Sequence, residues 1–304
     1  MPDTVKNLEL IDMPDMEKAR SLINHIGLPH QPRVVMQALR ETQKESPDFG
    51  RIVQIINSDT AMAAKILKLV NAPAWGLRQH ISSISQALAL LGIPRFNVLV
   101  ITSALKEAVV GDDASLHTFW LHSVNVARGT EYILDHQHIF RNFSELIPEQ
   151  VYLAGLFHDA AVPMIAKRYP LYREFFPFLL RERDRVPEVE FAKLGTYHHT
   201  ISYILARSWG VAPMISETIL SHHENGAVRV PGTMAMAKVS AALQLADYLD
   251  LIYQHKIGNI TGVDTWPEEE WAETHEETLF QLDLDGAQLS DLIDDFFIFL
   301  GQQE

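Results

Sequence analysis

Apolar residues along this chain recur at three- and four-residue spacing almost throughout, and no run of alternating apolar and polar residues is bounded by hairpin turns. That period belongs to the α-helix and not to the strand. Met62, Ile66, Leu69 and Val70 share a stripe behind Asp59, a helix-capping residue by type, and Pro73 stops the run. Ser83 opens a short helix that Gly92 closes, and Pro94 takes the first position of the next, where a proline costs no hydrogen bond. Further helices are expected from Ser115 to about His138, Pro148 to about Arg168, Tyr197 to Trp209, Pro213 to Glu224 and Thr233 to His255. Near the C-terminus Leu289, Leu292, Ile293, Phe296, Phe297 and Leu300 keep helical spacing, with Asp291, Asp294 and Asp295 opposite. Such an amphipathic helix must bury its apolar face, and docking on its own chain is the expectation.

The pattern predicts an all-α fold in three parts. An N-terminal helical part spans residues 1–112, a second helical part 113–257, and an acidic helical cap 258–304. Gly111-Asp112-Asp113 and the stretch from Gly258 to Pro267 mark the divisions, and no internal repeat or low-complexity tract is visible.

Composition narrows the class. With 47% apolar and 21% charged residues over 304 positions, the chain is neither disordered nor fibrous. It is long enough to bury a core without covalent staples. The absence of cysteine removes disulfides, zinc knuckles, iron–sulfur clusters and thiol nucleophiles together. Met1 to Arg20 carries acids and prolines where a signal peptide would show a basic cap and an apolar run. Gln86 to Leu105 is interrupted by Pro94, Arg95 and Asn97, so no membrane span is expected and a cytoplasmic location is the simplest expectation.

The formal charge is −14, and from Pro267 onward twelve acids stand with no Lys or Arg, leaving the rest of the chain nearly balanced. No clustered basic face is visible, so nucleic acid is not an expected partner. Lys167, Arg168, Arg173, Arg181, Arg183 and Arg185 form the densest basic stretch and read as a solvated helix face.

Candidate chemistry lies in the histidines. The chain has no G-x-S-x-G, no G-x-x-x-x-G-K, no G-x-G-x-x-G and no H-E-x-x-H. Its fourteen histidines are unevenly placed. His158-Asp159 sits in the apolar run Leu153-Ala154-Gly155-Leu156-Phe157, and His222-His223 closes one expected helix. His198-His199 opens another, His122 follows Phe119 and Trp120, and Asp247 ends an apolar stretch. Imidazole and carboxylate inside apolar helices cost free energy unless paired, and a shared cation is one way of pairing them. His122, His158, His198, His222 and His223 with Asp159 and Asp247 make a donor set that suits iron, manganese or zinc. Neighbours on a helix point about 100° apart, so each doublet can flank a pocket but cannot chelate as an i,i+4 pair does.

The segment from about Ile23 to His255 resembles the HDOD family, the output-domain branch of the HD metal-dependent phosphohydrolase superfamily. The resemblance is carried by Leu28-Pro29, Pro32-Arg33-Val34, Asn57-Ser58-Asp59-Thr60-Ala61, Ala64 to Asn71, Trp75-Gly76-Leu77, Ile81 to Ala87 and Leu90-Leu91-Gly92. It continues with Phe119-Trp120-Leu121-His122-Ser123, Ala154 to Asp159, His198, Trp209, His222-His223 and Leu245-Ala246-Asp247. The resemblance implies an N-terminal helical subdomain packed on an HD-type bundle. It also implies that the positions of His122, His158, Asp159 and Asp247 hold one metal, and that those of His198, His222 and His223 hold a second, with Asp159 bridging and catalytic.

The same resemblance implies a signal-transduction module that acts through a protein partner and a pocket able to take a phosphate-containing small ligand. The alternative it implies is a metal-dependent phosphohydrolase, and a di-iron oxygenase or oxygen sensor ranks behind both. Two departures from active relatives bear on the choice. Ala160-Ala161-Val162 follows His158-Asp159 where those relatives carry a lysine, and no Gly-Tyr-Pro motif follows His222-His223. Hydrolysis of cyclic di-GMP is therefore not expected.

Overall fold

A computed structural model describes residues 15–77, 79–169, 172, 186–223, 233–259 and 267–301. All regular structure among them is helical, in agreement with the all-α expectation. The first half supplies α1 (Met16–Ile26), α2 (Arg33–Thr42), α3 (Phe49–Asn57), α4 (Thr60–Val70), α5 (Ile84–Val109), α6 (His117–His136) and α7 (Ile139–Asn142). The second supplies α8 (Pro148–Phe157), α9 (Ala161–Arg168), α10 (Val186–Leu194), α11 (His198–Ser208), α12 (Pro213–Leu220) and α13 (Met234–Lys256). Three further helices close the chain: α14 (Glu268–Thr274), α15 (Glu276–Gln281) and α16 (Gly286–Gly301). The chain divides into two compact units, one holding the described residues among 1–28 and 114–298, the other those among 29–113 and 299–304.

In the smaller unit the capping residues act as their types require. Asp48 and Asp59 accept from the backbone N–H of Arg51 and Met62, and Ser83 accepts from that of Gln86. Ile52, Ile56, Ile66, Phe96 and Leu99 are fully buried. Asn71 ties the connection before α5 to the end of α4. Its amide donates to the carbonyls of Leu67 and Ile81 at 2.7 and 2.8 Å, and its Oδ1 accepts from Ile81 N–H at 2.8 Å. Helix α5 is the one described helix long and apolar enough to cross a membrane, but Gly92 breaks it with φ 68° and most of its apolar window is buried as core.

In the larger unit α6 packs against both α13 and α8, and α11 packs against α12 and α9. The approach of α6 to α8 depends on Gly155, where a Cβ would lie 2.4 Å from Ala127 Cα. Only glycine fits there. Met16, Ala19 and Ile23 of α1 join Ile165, Ile201, Ile204 and Leu220 in one core. The terminal helix buries Leu289, Leu292, Ile293 and Phe296, half-buries Phe297 and leaves Asp291, Asp294 and Asp295 exposed. Phe296 fills the space over Gly129 of α6, and the Lys256 ammonium sits 4.5 Å from the Phe297 ring centre.

Two departures from the expected helices bear on function. The run from Pro148 to Arg168 is interrupted, with α8 ending at Phe157, α9 starting at Ala161 and His158–Ala160 forming a turn. Pro163 has no N–H for the carbonyl of Asp159 four residues back, and its ring would clash with that carbonyl in a continuous helix. Likewise α12 ends at Leu220, so His222 and His223 lie in a turn beyond it, while Glu224 is outside the described residues. Of the basic stretch, Lys167 and Arg168 are exposed, while Arg173, Arg181, Arg183 and Arg185 are also outside them.

Candidate metal centre

Five helix ends and faces of the larger unit deliver the candidate residues. His122 projects from α6, His158 caps α8, Asp159 follows in the turn, His198 is the first residue of α11, His222 and His223 follow α12, and Asp247 lies on α13. His158 keeps helical φ and ψ of −50° and −44°, and its N–H still bonds the Ala154 carbonyl at 3.0 Å, so it extends the turn of α8 before Asp159.

All seven come together in two groups. His122, His158 and Asp247 form one, and Asp159, His198, His222 and His223 form the other, each with its donor atoms within 4.8 Å of one another. Asp159 spans the two. Its Oδ2 is 3.4 Å from His158 Nε2 and 3.9 Å from His122 Nε2, whereas its Oδ1 is 3.0 Å from His198 Nε2 and 3.5 Å from His222 Nε2. Asp247 Oδ1 lies 3.3 Å from His122 Nε2 and 3.7 Å from His158 Nε2. His223 Nε2 is 2.9 Å from His198 Nε2.

The far side of four of the rings is held, two by main-chain carbonyls and two by carboxyl groups. His158 Nδ1 donates to the Gly155 carbonyl at 2.6 Å, and His222 Nδ1 to the Ile219 carbonyl at 2.7 Å. His122 Nδ1 meets Asp250 Oδ2 at 2.7 Å, and His198 Nδ1 meets Glu190 Oε2 at 2.8 Å. Each contact turns Nε2 toward the pocket, the second support that metal-binding histidines characteristically receive.

The charges are strongly coupled. Burial pushes the Asp159 carboxyl up, but the imidazoles of His158 and His198 overcome this and hold it well below the usual carboxylate range. Burial lowers His198, yet the carboxylates of Glu190 and Asp159 reverse the effect and raise it to about 10. Burial lowers His222 to about 4, with His158 and His198 adding to the fall. His223 falls too, through burial and the neighbouring His222, His198 and His199.

This arrangement fits a cation. A carbonyl only accepts, so Nδ1 of His158 and of His222 carries a hydrogen, leaving Nε2 of each to take a proton or a cation. Both Nε2 atoms are buried and make no hydrogen bond of acceptable geometry, and both face Asp159. A lone pair aimed at a carboxylate is repulsive unless a positive charge stands between them. Donors of one ion at about 2.0–2.2 Å stand roughly 3–3.5 Å apart, close to the spacings here. The buried His/Asp clusters can therefore bind metal.

Sequence reasoning missed two residues that back this centre and gave no role to a third beside it. Asp250 is fully buried and holds His122, and it also accepts from Asn125 Nδ2 at 2.7 Å. Its signal was legible, because three residues after Asp247 it shares that residue's helix face. Glu190, on α10, carried no comparable signal. His199, noted in the sequence only as half of a doublet, stacks on Tyr197 with ring centres 4.8 Å apart.

The HDOD domain profile matches residues 28–225. Two solved structures share the fold: a Shewanella amazonensis protein provisionally named a phosphohydrolase, and a Geobacter sulfurreducens HDOD domain protein of unknown function. The first has TM-score 0.66 and 19% identity, covering 94% of this chain and 95% of that one. The second has TM-score 0.64 and 23% identity over the same shares. The cyclic di-GMP phosphodiesterase CdgJ of Vibrio cholerae is 24% identical over 157 residues, 50% of this chain and 34% of that protein. The chain spans less than half the length of the curated relatives it matches.

Proposed function

The chain belongs to the HDOD family, and from that premise we propose that it is a signal-transduction module whose working element is a two-metal pocket. One observation carries the reading: Asp159 turns one oxygen to each of two histidine groups, and buried imidazole nitrogens are aimed at both oxygens. On this reading His122, His158, Asp159 and Asp247 would hold one ion, and Asp159, His198, His222 and His223 would hold the other. The donor set suits iron, manganese or zinc. When bound, such ions supply Lewis acidity toward a phosphoryl oxygen, so a phosphate-containing small molecule is the fitting pocket ligand. Asp159 would be shared by both ions, and the four backed histidines keep their Nε2 atoms turned toward the pocket. Output to a protein partner in the cytoplasm completes the proposal.

A second reading is a metal-dependent phosphohydrolase. The completeness of the seven-residue set favours it, and the absence of a lysine from Ala160-Ala161-Val162 weighs against it. The activity named for the Vibrio cholerae relative is not carried over, because this chain spans only 34% of that protein.

Elemental analysis of protein purified without added metal tests the first claim. Roughly two transition-metal ions per chain are expected, as in two-metal sites generally, and a clean absence would sink it. Bis(p-nitrophenyl) phosphate then separates the readings. Turnover by the wild-type protein that disappears in Asp159→Asn establishes the hydrolase, and no turnover by a metal-loaded protein leaves the signalling module.

A further inference from the structure

Each half of the pocket contains one histidine backed by a main-chain carbonyl and one backed by a buried carboxylate. In the half around Asp247 these are His158 on the Gly155 carbonyl and His122 on Asp250. In the half around His223 they are His222 on the Ile219 carbonyl and His198 on Glu190. The two carboxylates come from different helices, α13 and α10, and each backs a histidine of a different group.

Both carboxylates are held as firmly as the histidines they hold. Asp250 is fully buried; its Oδ1 accepts from Asn125 Nδ2 at 2.7 Å and Gln254 Nε2 at 3.1 Å, leaving Oδ2 for His122. Gln254 is itself fixed by Asn259 at 2.8 Å. Glu190 is also buried; its Oε2 accepts from both the N–H and Nδ1 of His198, at 2.9 and 2.8 Å, and its Oε1 accepts from the Tyr172 hydroxyl. A carboxylate paired this way raises the basicity of the opposite ring nitrogen and locks the ring plane. With Asp159 and Asp247, these two bring four carboxyl groups to the centre.

We propose that Asp250 and Glu190 are positioning residues, each setting the affinity of one metal ion through the histidine it backs: Asp250 through His122, Glu190 through His198. The proposal rests on the two-metal reading and extends it to residues that touch neither ion. It makes the pocket two separately tunable half-sites joined at Asp159.

The test uses the full chain stripped with chelator and titrated with Mn(II), read by equivalents bound and by electron paramagnetic resonance. Wild-type protein is expected to take up two ions that give an exchange-coupled spectrum. Glu190→Gln keeps the shape but removes the charge, and is expected to weaken one ion by about 10–100-fold. At limiting Mn(II) its spectrum becomes that of an isolated ion. Asp250→Asn should do the same to the other ion, and Tyr172→Phe should shift the Glu190 half-site in the same direction by less. Circular dichroism of each metal-free variant reports folding, and because the two carboxylates lie on different helices, one folded variant suffices. Unchanged affinities and a coupled spectrum in a folded variant overturn the positioning role while the two-metal reading stands. A wild-type chain that binds no Mn(II) overturns that reading, and this proposal with it.

Discussion

At the scale of single residues, His198 and His222 are driven in opposite directions within one pocket, and stability should record both. The native pKa of His198, raised to about 10 by Glu190 and Asp159 against burial, exceeds its unfolded value. Its contribution is then complete below about pH 6.5 and is lost as pH rises toward 10. His222, lowered to about 4 chiefly by burial, has the opposite sign. The unfolded chain binds its proton first, so stability falls as pH drops from about 6.5 toward 4. The metal-free protein should therefore melt at its highest temperature near neutrality and at lower temperatures on either side. Thermal melts across pH in the presence of chelator would show it. A melting temperature that climbs steadily up to pH 10 would contradict the strong coupling of His198 to Glu190.

At the scale of elements, the contact between α6 and α8 is the structural condition for the centre. Gly155 lets the two backbones touch at Ala127, and its carbonyl holds His158 in orientation. Gly155→Ala would place a methyl group where Ala127 already stands, and a well-packed core answers such an insertion with a loss of about 1–3 kcal/mol. Because the same displacement shifts the carbonyl behind His158, metal affinity should fall together with melting temperature. A variant that melts earlier yet binds Mn(II) unchanged would mean that α8 can shift without moving its histidine. Pro163 matters at this scale too, because in the first turn of α9 it has no N–H for the Asp159 carbonyl, so α8 and α9 do not run on as one helix.

At the scale of the whole molecule, a metal held in the pocket would be linked to the fold by mass action. Ions that bind only the native pocket stabilise it by RT ln(1 + [L]/Kd), about 2.7 kcal/mol for each site held at a hundred times its Kd. Chelator should lower the melting temperature by several degrees, and Mn(II) should restore it. The acidic terminal helix is expected to contribute by packing and not by charge. Phe296 lies over Gly129 on the helix that carries His122, while Asp291, Asp294 and Asp295 stay in solvent. A chelator effect of zero, with the metal shown to have been removed, would separate the pocket from the stability of the fold.

The sequence by itself determined what depends on near neighbours in the chain. Helical spacing of apolar residues established the fold class, and Asp59, Ser83 and Thr233 announced helix starts that the structure displays with their side chains accepting backbone N–H groups. The same local reading named His122, His158, Asp159, His198, His222, His223 and Asp247 from residue type and order. Asp250 was within its reach, three residues beyond Asp247 on the same face, whereas Glu190 was not. What the pattern could not carry is direction in space. That Asp159 presents its two oxygens to two different histidine groups depends on how α6, α8, α11, α12 and α13 pack and on the turn before Pro163. Periodicity records which face of a helix is apolar, but where a ring nitrogen points is decided by contacts between helices distant in sequence, and only the tertiary structure contains them.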